Sequence, residues 1–315
     1  MFFNIYIYLF NISFYSCYIC ILTFYLICKF FRYKDSRVVV ERPTYLGALQ
    51  AFAPMEPIAV GVASDDQGML VDDFAAQAGS GADKARFAYV LPNFQNPTGR
   101  TMSEERRQAL VDKARELDIP LVEDNPYGDL RFEGEAPLPL AARNPEGVLY
   151  MGSFSKVLAP GLRLGFVVAP KSVYGKLVQA KQAADLHTPS FNQRVVAEVM
   201  KDGFLDRHIP TIRTLYKNQR DAMLAALDQE MVGLGVSWTR PVGGMFLWVQ
   251  LPEGMDAQKL LPLAVERGMA FVPGAPFFPG NPQHNCLRLS YVTVPPAQIA
   301  QGIAALAAAI KAYAQ

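Results

Sequence analysis

The sequence predicts an α/β fold, in which a mainly parallel sheet flanked by helices is followed by a smaller C-terminal α+β domain. Three observations indicate this fold. Short apolar runs typical of buried strands alternate with helical patterns between residues 37 and 170. Polar residues follow directly after several of these runs, and ligands gather at the carboxyl ends of parallel strands. Beyond residue 230, two strand patterns surround a glycine pair and further helix and strand patterns follow, which favours a second unit.

The composition sets limits on size and partners. With 315 residues, the chain is long enough for one large or two medium domains with hydrophobic cores. Its formal net charge of +1 gives no reason to expect nucleic acid or an acidic partner. Apolar residues make up 51% of the chain and charged residues 19%, and the apolar excess is concentrated before residue 32. The first segment therefore needs an interpretation of its own.

Residues 1–36 are predicted to be a hydrophobic leader, rich in Phe, Tyr, Ile and Leu. Residues 2–31 are long enough to cross a bilayer, and the cations that follow predict a cytoplasmic globular part anchored in the membrane. A cleaved signal peptide is disfavoured, because the segment lacks a basic start and a small-residue cleavage site. The composition changes abruptly near Asp35, so a leader that is not native to the globular sequence is the competing interpretation.

The cysteines indicate no disulfide framework. Cys17, Cys20 and Cys28 all lie in the leader, which leaves only Cys286 in the globular sequence. That usage suits a reducing compartment. Cys17 and Cys20 form a C-x-x-C pair, but the pair stands alone in an apolar run. We interpret it as a coincidence, and no metal site is predicted.

Residues 37–200 are predicted to form the large domain. Ser103 is suited to cap a helix, since two glutamates follow it at the positive end of the helix dipole. The apolar stripe of this helix runs from Leu110 to Leu117. The predicted strands of the domain cover residues 38–40, 57–63, 87–91, 120–123, 148–151 and 164–169.

Residues 201–315 are predicted to form the small domain, although helical patterns already dominate from residue 170 to about 230. Strands at 236–238 and 245–251 surround the Gly243-Gly244 turn. A helix covers 256–268 and a strand covers 286–292. The last helix begins at the proline pair 295–296, because proline fits the first turn. Its apolar stripe consists of Ile299, Ile303, Leu306 and Ile310.

Lys156 is the candidate around which the chemistry of the chain is interpreted. It lies in the sequence YMGSFSKVLAPGLRLG, residues 150–165, between two apolar runs that predict short buried strands. A lysine at the lip of a buried strand is poorly solvated, which favours its neutral amine. A neutral amine beside Ser153, Ser155 and Arg163 suits a Schiff base to an aldehyde cofactor that carries a phosphate. From local sequence alone, a surface lysine in a loop fits as well.

Other polar residues follow predicted strands, and each of them alone fits a structural role. Asn96, in the sequence NFQNPTG at 93–99, is locally a turn former. Asp124 follows a strand, where a helix cap or turn residue is the simpler interpretation, and Tyr127 is locally a packing residue. Arg288 alternates with two leucines along a strand and therefore faces the opposite side from them.

In this order and context, these residues and the PGLR sequence at 160–163 resemble the fold-type I pyridoxal-phosphate enzymes of the class I and II aminotransferase family. The resemblance runs from about Val38 to the C-terminus. The spacing from Lys156 to Arg163 is similar to that of the branch with the 2-aminoadipate and kynurenine aminotransferases, which also includes the catalytic-like domain of MocR-type regulators. The resemblance implies pyridoxal 5′-phosphate as cofactor, an amino acid and a 2-oxo acid as substrates, and a homodimer.

The resemblance also implies a role for each candidate residue. Lys156 would hold the cofactor as a Schiff base and then move the substrate proton, while Asp124 would keep the pyridine nitrogen protonated. Arg288 would take the substrate α-carboxylate as a bidentate pair. The implied catalytic residues are Lys156, Asp124 and Tyr127. The implied cofactor-binding residues are Tyr45, which would stack on the ring, Asn96 and Tyr127 at the phenolic oxygen, Asp124, Lys156, and Ser153, Ser155 and Arg163 at the phosphate. Arg288 and Asn96 would bind the substrate.

The resemblance breaks at the front of the chain. Upstream of the position of Tyr45, the family carries a Gly-Ser-Gln-Gln-like loop whose backbone N–H groups bind the phosphate, and an N-terminal arm that helps build the dimer. In this sequence the leader takes that place, with no glycine before Gly47. The cofactor-binding domain is therefore expected to be incomplete at its N-terminus, and weak or absent cofactor retention is predicted.

Three functions stay open at this point. The first is an aminotransferase that exchanges an amino group between an L-amino acid and a 2-oxo acid such as 2-oxoglutarate. The second is a lyase or decarboxylase of the same fold, because Lys156 and Asp124 serve these reactions too. The third is a non-catalytic protein, either a truncated or membrane-tethered remnant or a sensor that binds the cofactor without turnover.

Overall fold

The computed structural model describes the backbone of residues 8–10 and, in full, residues 34–313. The strands are β1 (Tyr8–Phe10), β2 (Arg37–Arg42), β3 (Ile58–Asp65), β4 (Gly68–Met69), β5 (Phe87–Val90), β6 (Leu121–Asp124), β7 (Val148–Ser153), β8 (Gly165–Val168), β9 (Ser237–Trp238), β10 (Phe246–Gln250), β11 (Val272–Pro273) and β12 (Cys286–Ser290). The α-helices are α1 (Leu46–Phe52), α2 (Val71–Gln77), α3 (Glu104–Glu116), α4 (Leu140–Arg143), α5 (Lys171–Asp185), α6 (Ser190–Met200), α7 (Phe204–Glu230), α8 (Ala257–Val265) and α9 (Pro296–Tyr313).

The larger sheet has eight strands in the order β1-β8-β7-β6-β5-β2-β3-β4. Its centre is parallel, because β2 pairs in parallel with β3 and β5, and β6 pairs in parallel with β5 and β7. The antiparallel strands lie at the two edges, where β8 pairs with β7 and β1, and β4 pairs with β3. The predicted mainly parallel sheet is confirmed. The reversal at β8 follows from the connection between Ser153 and Gly165, which holds turns instead of a crossover helix.

Both faces of the parallel strands are buried, which explains why their sequences are continuous apolar runs. Along β5, Phe87 and Tyr89 pack into one core cluster with Val38, Val40, Val122 and Leu149. The intervening Ala88 and Val90 pack into a second cluster on the other face, with Leu110, Val111 and Ala114 of α3. Side chains therefore alternate between two covered faces, while the carboxyl ends of the strands meet at one edge.

Helix α3 begins where the sequence predicts. The Ser103 hydroxyl oxygen accepts a hydrogen bond from the Arg106 backbone N–H at 3.2 Å, and Glu104 and Glu105 occupy the first turn. Leu110 and Val111 are fully buried, as the stripe predicts. The same face also buries Arg107, which the pattern does not predict.

The smaller sheet is antiparallel, with four strands in the order β11-β12-β10-β9. Its core contains Leu247 and Val249 of β10, Leu287 and Leu289 of β12, and the buried stripe of α9. That stripe contains Ile299, Ile303, Leu306 and Ile310, as predicted. Leu287 and Leu289 are buried on one face while Arg288 lies on the other, which confirms the predicted alternation.

The predicted membrane anchor is not supported by the structure. Across the described residues, 8–10 and 34–313, no helix combines the length and the apolar character that crossing a bilayer requires. Tyr8–Phe10, inside the segment predicted to span the membrane, is a strand that pairs with β8. The rest of the predicted leader up to residue 33 lies outside the described residues.

Candidate active site

The candidate residues follow the carboxyl ends of four neighbouring strands. Tyr45 follows β2, Asn96 follows β5, Asp124 ends β6 and Ser153 ends β7. The parallel register brings these ends to one edge, since Val40 pairs with Tyr89, Val90 with Glu123, and Asp124 with Met151. The topology thus collects residues that are far apart in sequence.

The loop 93–99 is held rigidly by its own hydrogen bonds. The Gln95 side chain accepts from the Thr98 N–H at 2.9 Å and from the Thr98 hydroxyl at 2.6 Å, and it donates to the Pro43 carbonyl at 2.7 Å. Gly99 has a φ of +73°, and a Cβ at this position would lie 2.5 Å from the Phe246 carbonyl oxygen. The loop therefore requires glycine at this position and fixes Asn96 at the sheet edge.

Asn96 joins the two sheets. Its side-chain oxygen accepts a hydrogen bond from Arg288 Nη1 at 2.8 Å, and its Nδ2 lies 3.5 Å from the Tyr127 hydroxyl, a long hydrogen bond. The Arg288 guanidinium also stacks over aromatic rings, with its Cζ 4.1 Å from the Phe246 centroid and 5.2 Å from that of Phe277. Planar stacking and a side-chain hydrogen bond orient the guanidinium fork.

Asp124 is a buried carboxylate with an oriented partner. The side chain is 1% exposed, and its Oδ2 accepts a hydrogen bond from the Tyr89 hydroxyl at 2.8 Å. Tyr89 comes from the neighbouring strand β5. A carboxylate held in this way is an oriented hydrogen-bond acceptor.

Lys156 lies in the turn that connects β7 to β8. The turn is closed by the Phe154 N–H, which donates to the Leu164 carbonyl at 3.1 Å. Lys156 is half-buried, and its Nζ lies 6.0 Å from the centroid of the Tyr127 ring. In the same turn, the Ser153 hydroxyl oxygen accepts from the Ser155 N–H at 3.1 Å.

Arg163 closes this turn in an unusual backbone conformation. Its φ is +54°, a left-handed region that favours glycine, although the residue carries a long side chain. The guanidinium donates to the Pro160 carbonyl at 2.9 Å and the residue is 9% exposed. A costly conformation at a buried cation indicates that the side chain itself is required at this position.

The structure brings together four of the candidates in one line of contacts, Lys156, Tyr127, Asn96 and Arg288. Asp124 lies three residues before Tyr127, and Ser153, Ser155 and Arg163 share the turn of Lys156. Tyr45 is buried, and its ring lies against Gly47, where a Cβ would be 2.5 Å from the Tyr45 hydroxyl.

Sequence reasoning missed Tyr89, Phe246 and Phe277. The sequence contains a feature that could have indicated Tyr89. Its hydroxyl is the one polar side-chain group of the otherwise apolar strand β5, next to the strand of Asp124. Phe246 stacks on Arg288 and contacts Tyr127 edge-on, with ring centroids 5.8 Å apart. Its role follows from the pairing of β10 with β12, which no local pattern of the sequence indicates.

Two buried acids lie close to the site. Burial raises the pKa of Glu41 to about 8, against a hydrogen bond from the Leu91 N–H at 2.8 Å that stabilises the carboxylate. Burial also raises the pKa of Glu123, whose carboxylate accepts from the Ala141 N–H at 3.0 Å. Glu41 thus accepts from the end of the segment before the loop 93–99, and Glu123 directly precedes Asp124 on β6.

A groove of about 900 Å³ opens beside the loop 93–99. It is lined by parts of both sheets, including Arg100, Trp238 and Trp248, and by none of the candidate residues. The chemistry-bearing side chains lie instead around Lys156, and we place the candidate site there.

The side chains around Lys156 fit a phosphorylated pyridine aldehyde. The primary amine of Lys156 suits an aldehyde carbon, and the buried carboxylate of Asp124 suits a protonated ring nitrogen. The phenol of Tyr127 and the amide of Asn96 can bond a phenolic oxygen, and the hydroxyls and guanidinium of the β7–β8 turn suit a phosphate. The guanidinium of Arg288 has the geometry that suits a carboxylate.

Comparisons with known proteins agree with this chemistry. The family model of aminotransferase class I and II matches residues 16–306. The aromatic-amino-acid aminotransferase 1 of Thermococcus litoralis is 46% identical over 278 residues, which cover 87% of this chain and 66% of that protein. The 2-aminoadipate transaminase of Thermus thermophilus is 44% identical over 291 residues, which cover 91% of this chain and 72% of that protein.

Solved structures show the same fold. The crystal structure of Pyrococcus horikoshii kynurenine aminotransferase, a complex with PMP, superposes with a TM-score of 0.90 at 42% sequence identity. The match covers 96% of this chain and 75% of that chain. The chain thus spans 66% to 75% of the length of these relatives.

The fold and the site define a fold-type I pyridoxal-phosphate enzyme, and the predicted fold class is confirmed. The chain belongs to the class I and II aminotransferase family, whose cofactor is pyridoxal 5′-phosphate. The predicted resemblance to the 2-aminoadipate and kynurenine aminotransferases is confirmed as well.

Proposed function

We propose that this chain transfers the amino group of an L-amino acid to a 2-oxo acid, with 2-oxoglutarate as the acceptor. The observation that carries the proposal is the line of contacts from Lys156 through Tyr127 and Asn96 to Arg288. In this line an amine and a guanidinium lie on either side of one amide and one phenol. An amino acid needs both groups, one for its amine-bearing carbon and one for its carboxylate.

Bound pyridoxal phosphate supplies an electron-accepting ring for the substrate's Cα electrons. In our proposal Lys156 Nζ binds the cofactor and then carries the proton that leaves Cα. Asp124 holds the pyridine nitrogen in its protonated form, and the Tyr89 hydroxyl fixes that carboxylate at 2.8 Å. Tyr127 and Asn96 hold the cofactor's phenolic oxygen, while Tyr45 covers its ring.

Arg288 is proposed to bind the substrate α-carboxylate. Two parallel N–H donors match two carboxylate oxygens, and the fork is pre-oriented by the stacking on Phe246 at 4.1 Å. Asn96 occupies the Nη1 donor at 2.8 Å in this structure and is proposed to bind the substrate beside it. The Phe246 ring shields the pair from water, which strengthens it.

Ser153, Ser155 and Arg163 are proposed to bind the phosphate. These three side chains are the phosphate ligands that we assign among the described residues. The assignment includes no backbone N–H group of a glycine-rich loop. We therefore propose weak cofactor retention for this chain. Gel filtration of protein loaded with pyridoxal phosphate measures it, and a visible absorbance band that survives the column contradicts weak retention.

The function is tested by mixing the protein, pyridoxal phosphate, an amino acid and 2-oxoglutarate, and measuring glutamate. Lys156→Ala is expected to abolish both glutamate formation and the visible absorbance of bound cofactor. Lys176→Ala is the matched control, because Lys176 is an exposed lysine on α5 outside the site. A chain that releases ammonia or carbon dioxide without glutamate is a lyase or decarboxylase, and this result overturns the aminotransferase proposal.

We also propose a homodimer, with residues 37–200 as the cofactor-binding unit and 201–315 as the small unit. The support is a group of exposed apolar side chains around α6, where Leu186, just after α5, is 68% exposed and Phe191, on α6, is 75% exposed. Phe191→Asp is expected to shift the sedimentation coefficient to that of a monomer. The buried free thiol of Cys286 suits the reducing conditions of the cytoplasm, where we place the protein.

A further inference from the structure

Arg107 is a fully buried cation in α3 that the proposed reaction does not use. Its Nε donates to the Met102 carbonyl at 3.0 Å, and its Nη2 donates to the Pro92 carbonyl at 2.8 Å. These two carbonyls lie at either end of the segment that contains the loop 93–99. The Met102 N–H donates to the Pro92 carbonyl at 2.8 Å as well, so a backbone hydrogen bond already joins the two ends of this segment. Arg107 adds two further hydrogen bonds at the same ends.

A chain of side chains continues from Arg107 across the sheet edge. Its Nη2 donates to Asn93 Oδ1 at 2.7 Å, and Asn93 Nδ2 donates to Asn125 Oδ1 at 2.9 Å. Asn125 Nδ2 then donates to the Tyr150 hydroxyl oxygen at 2.8 Å. Asn125 lies over Gly128, where a Cβ would be 2.5 Å from Asn125 Oδ1, so the glycine leaves room for this amide. The chain crosses β5, β6 and β7 in turn.

The guanidinium sets the direction of this chain. Arginine can only donate, so Asn93 must present its oxygen to Arg107 and its amide N–H to Asn125. Asn125 in turn presents its oxygen to Asn93 and its N–H to Tyr150. The guanidinium therefore determines which group donates and which accepts in every later hydrogen bond. Each amide has one orientation that satisfies both of its neighbours.

The hydrogen-bonded side chains from Arg107 to Tyr150 lie on the face of the sheet opposite the candidate site. Glu123 and Asp124 are neighbours on β6 and therefore point to opposite faces of the sheet. Asp124 meets Tyr89 on the site side, whereas Glu123 lies on the side of α3 and attracts Arg107. Arg107 thus acts on the site through Asn93, which lies three residues before Asn96, and through Asn125, which directly follows Asp124.

We propose that Arg107 is a positioning residue that fixes the spacing between the Asn96 loop and the end of β6 through the chain Asn93–Asn125–Tyr150. The consequence for catalysis rests on the proposed function, but the hydrogen-bond network itself is present in the protein without ligand. A purely structural Arg107 would stabilise α3 and the segment 92–102, and its removal would leave the residues after Asp124 unchanged.

Hydrogen exchange of the full chain, without added ligand, separates the two roles. Arg107→Met is expected to accelerate amide exchange about tenfold or more in 92–102 and in 124–128. The first segment loses the charge-assisted hydrogen bonds to Pro92, Asn93 and Met102, and the second loses the fixed orientation of Asn93 towards Asn125. Asn93→Asp keeps an acceptor for Arg107 but has no N–H for Asn125. It is expected to accelerate exchange in 124–128 alone, where the Asn125 N–H donates to the Met151 carbonyl at 2.9 Å.

Arg143→Met is the matched control. Arg143 is a cation next to α3 that pairs with Glu104 and donates to Gln108, but it makes no contact with the loop 93–99 among these bonds. It is expected to leave exchange in both segments unchanged. Acceleration confined to 92–102 in Arg107→Met, or no change at 124–128 in Asn93→Asp, overturns the proposal. If Arg107→Met does not fold, Asn93→Asp decides the question alone.

The second measurement is binding of pyridoxal phosphate, by equilibrium dialysis and by the pH midpoint of the cofactor's visible absorbance. Arg107→Met and Asn93→Asp are expected to raise the dissociation constant about tenfold and to shift that midpoint, with Arg143→Met unchanged. If the unsubstituted chain neither binds the cofactor nor forms glutamate, the proposed function fails while the exchange result still stands. Unchanged binding and midpoint in both variants, beside normal binding by the unsubstituted chain, contradict a positioning role.

Discussion

Glu41→Gln is expected to stabilise the chain by an amount that grows with pH. Burial raises the pKa of Glu41 from its ordinary value of 4.5 to about 8. Between these values the folded chain holds a proton that the unfolded chain has released, so the stability of the unsubstituted chain falls as pH rises. Glutamine stays neutral throughout and can still accept from the Leu91 N–H, so the variant escapes this loss.

The magnitude follows from the same shift. Each pH unit inside the window changes the free energy of unfolding by about 1.4 kcal/mol, so the advantage of the variant grows by about 2.7 kcal/mol from pH 5 to pH 7. Urea unfolding at pH 5, 6 and 7 measures it. Above pH 8 the difference in stability levels off, and below pH 4.5 it no longer changes with pH, since both states then bind the proton.

Glu133→Gln is the control with the opposite sign. The hydrogen bond from Arg220 lowers the pKa of Glu133, so the stability it confers is present above its ordinary pKa and lost as pH falls. This variant is expected to lose stability relative to the unsubstituted chain as pH rises. The reasoning on Glu41 is refuted if the advantage of Glu41→Gln is constant between pH 5 and 7, or if it shrinks.

Three further substitutions test separate parts of the structure. Arg288→Lys removes the stacked fork, and kcat/KM for the amino acid is expected to fall about 100-fold, mainly through KM; an unchanged KM argues against carboxylate binding at this position. Gly99→Ala forces a methyl group towards the Phe246 carbonyl at a φ of +73°, and a loss of about 1–3 kcal/mol is expected in thermal unfolding. Ser103→Ala removes the cap of α3 and is expected to cost about 1 kcal/mol, with cofactor binding unchanged. A cap variant as stable as the parent contradicts the assignment.

Much of the fold could be predicted because it depends on local signals. The parallel strands are continuous apolar runs, and α3 has a capping serine followed by acidic residues, so their positions could be predicted to within a few residues. The direction of β8 could not, because an apolar run looks the same in either orientation. The two-residue strands β4 and β11 have no measurable period, and their pairing is decided by the strands beside them.

The residues of the candidate site also fall into those that local sequence predicts and those that depend on tertiary packing. Residues at strand ends or in the loops that follow them, such as Asp124 and Asn96, could be predicted from their position at the carboxyl edge. The contact between Arg288 and Asn96 joins residues 192 positions apart, and only the family resemblance pointed to it. The burial of Arg107 was not predicted, because a cation within a charged run on a helix is usually solvated. Packing of α3 on the sheet buries it completely.

The alternation along β6 explains how a short strand serves two purposes at once. Asp124 faces the site, where a fixed acceptor is useful to a ring nitrogen, and Glu123 faces α3, where it attracts the buried Arg107. A one-residue slip of β6 against β5 would exchange these faces and leave Arg107 without its carboxylate and Tyr89 without its acceptor. The charged groups behind the sheet therefore penalise the wrong register by the energy of uncompensated buried polar groups. The same register sets Asp124 opposite Met151, two residues before Ser153, and so places the acidic residue beside the turn that carries Lys156.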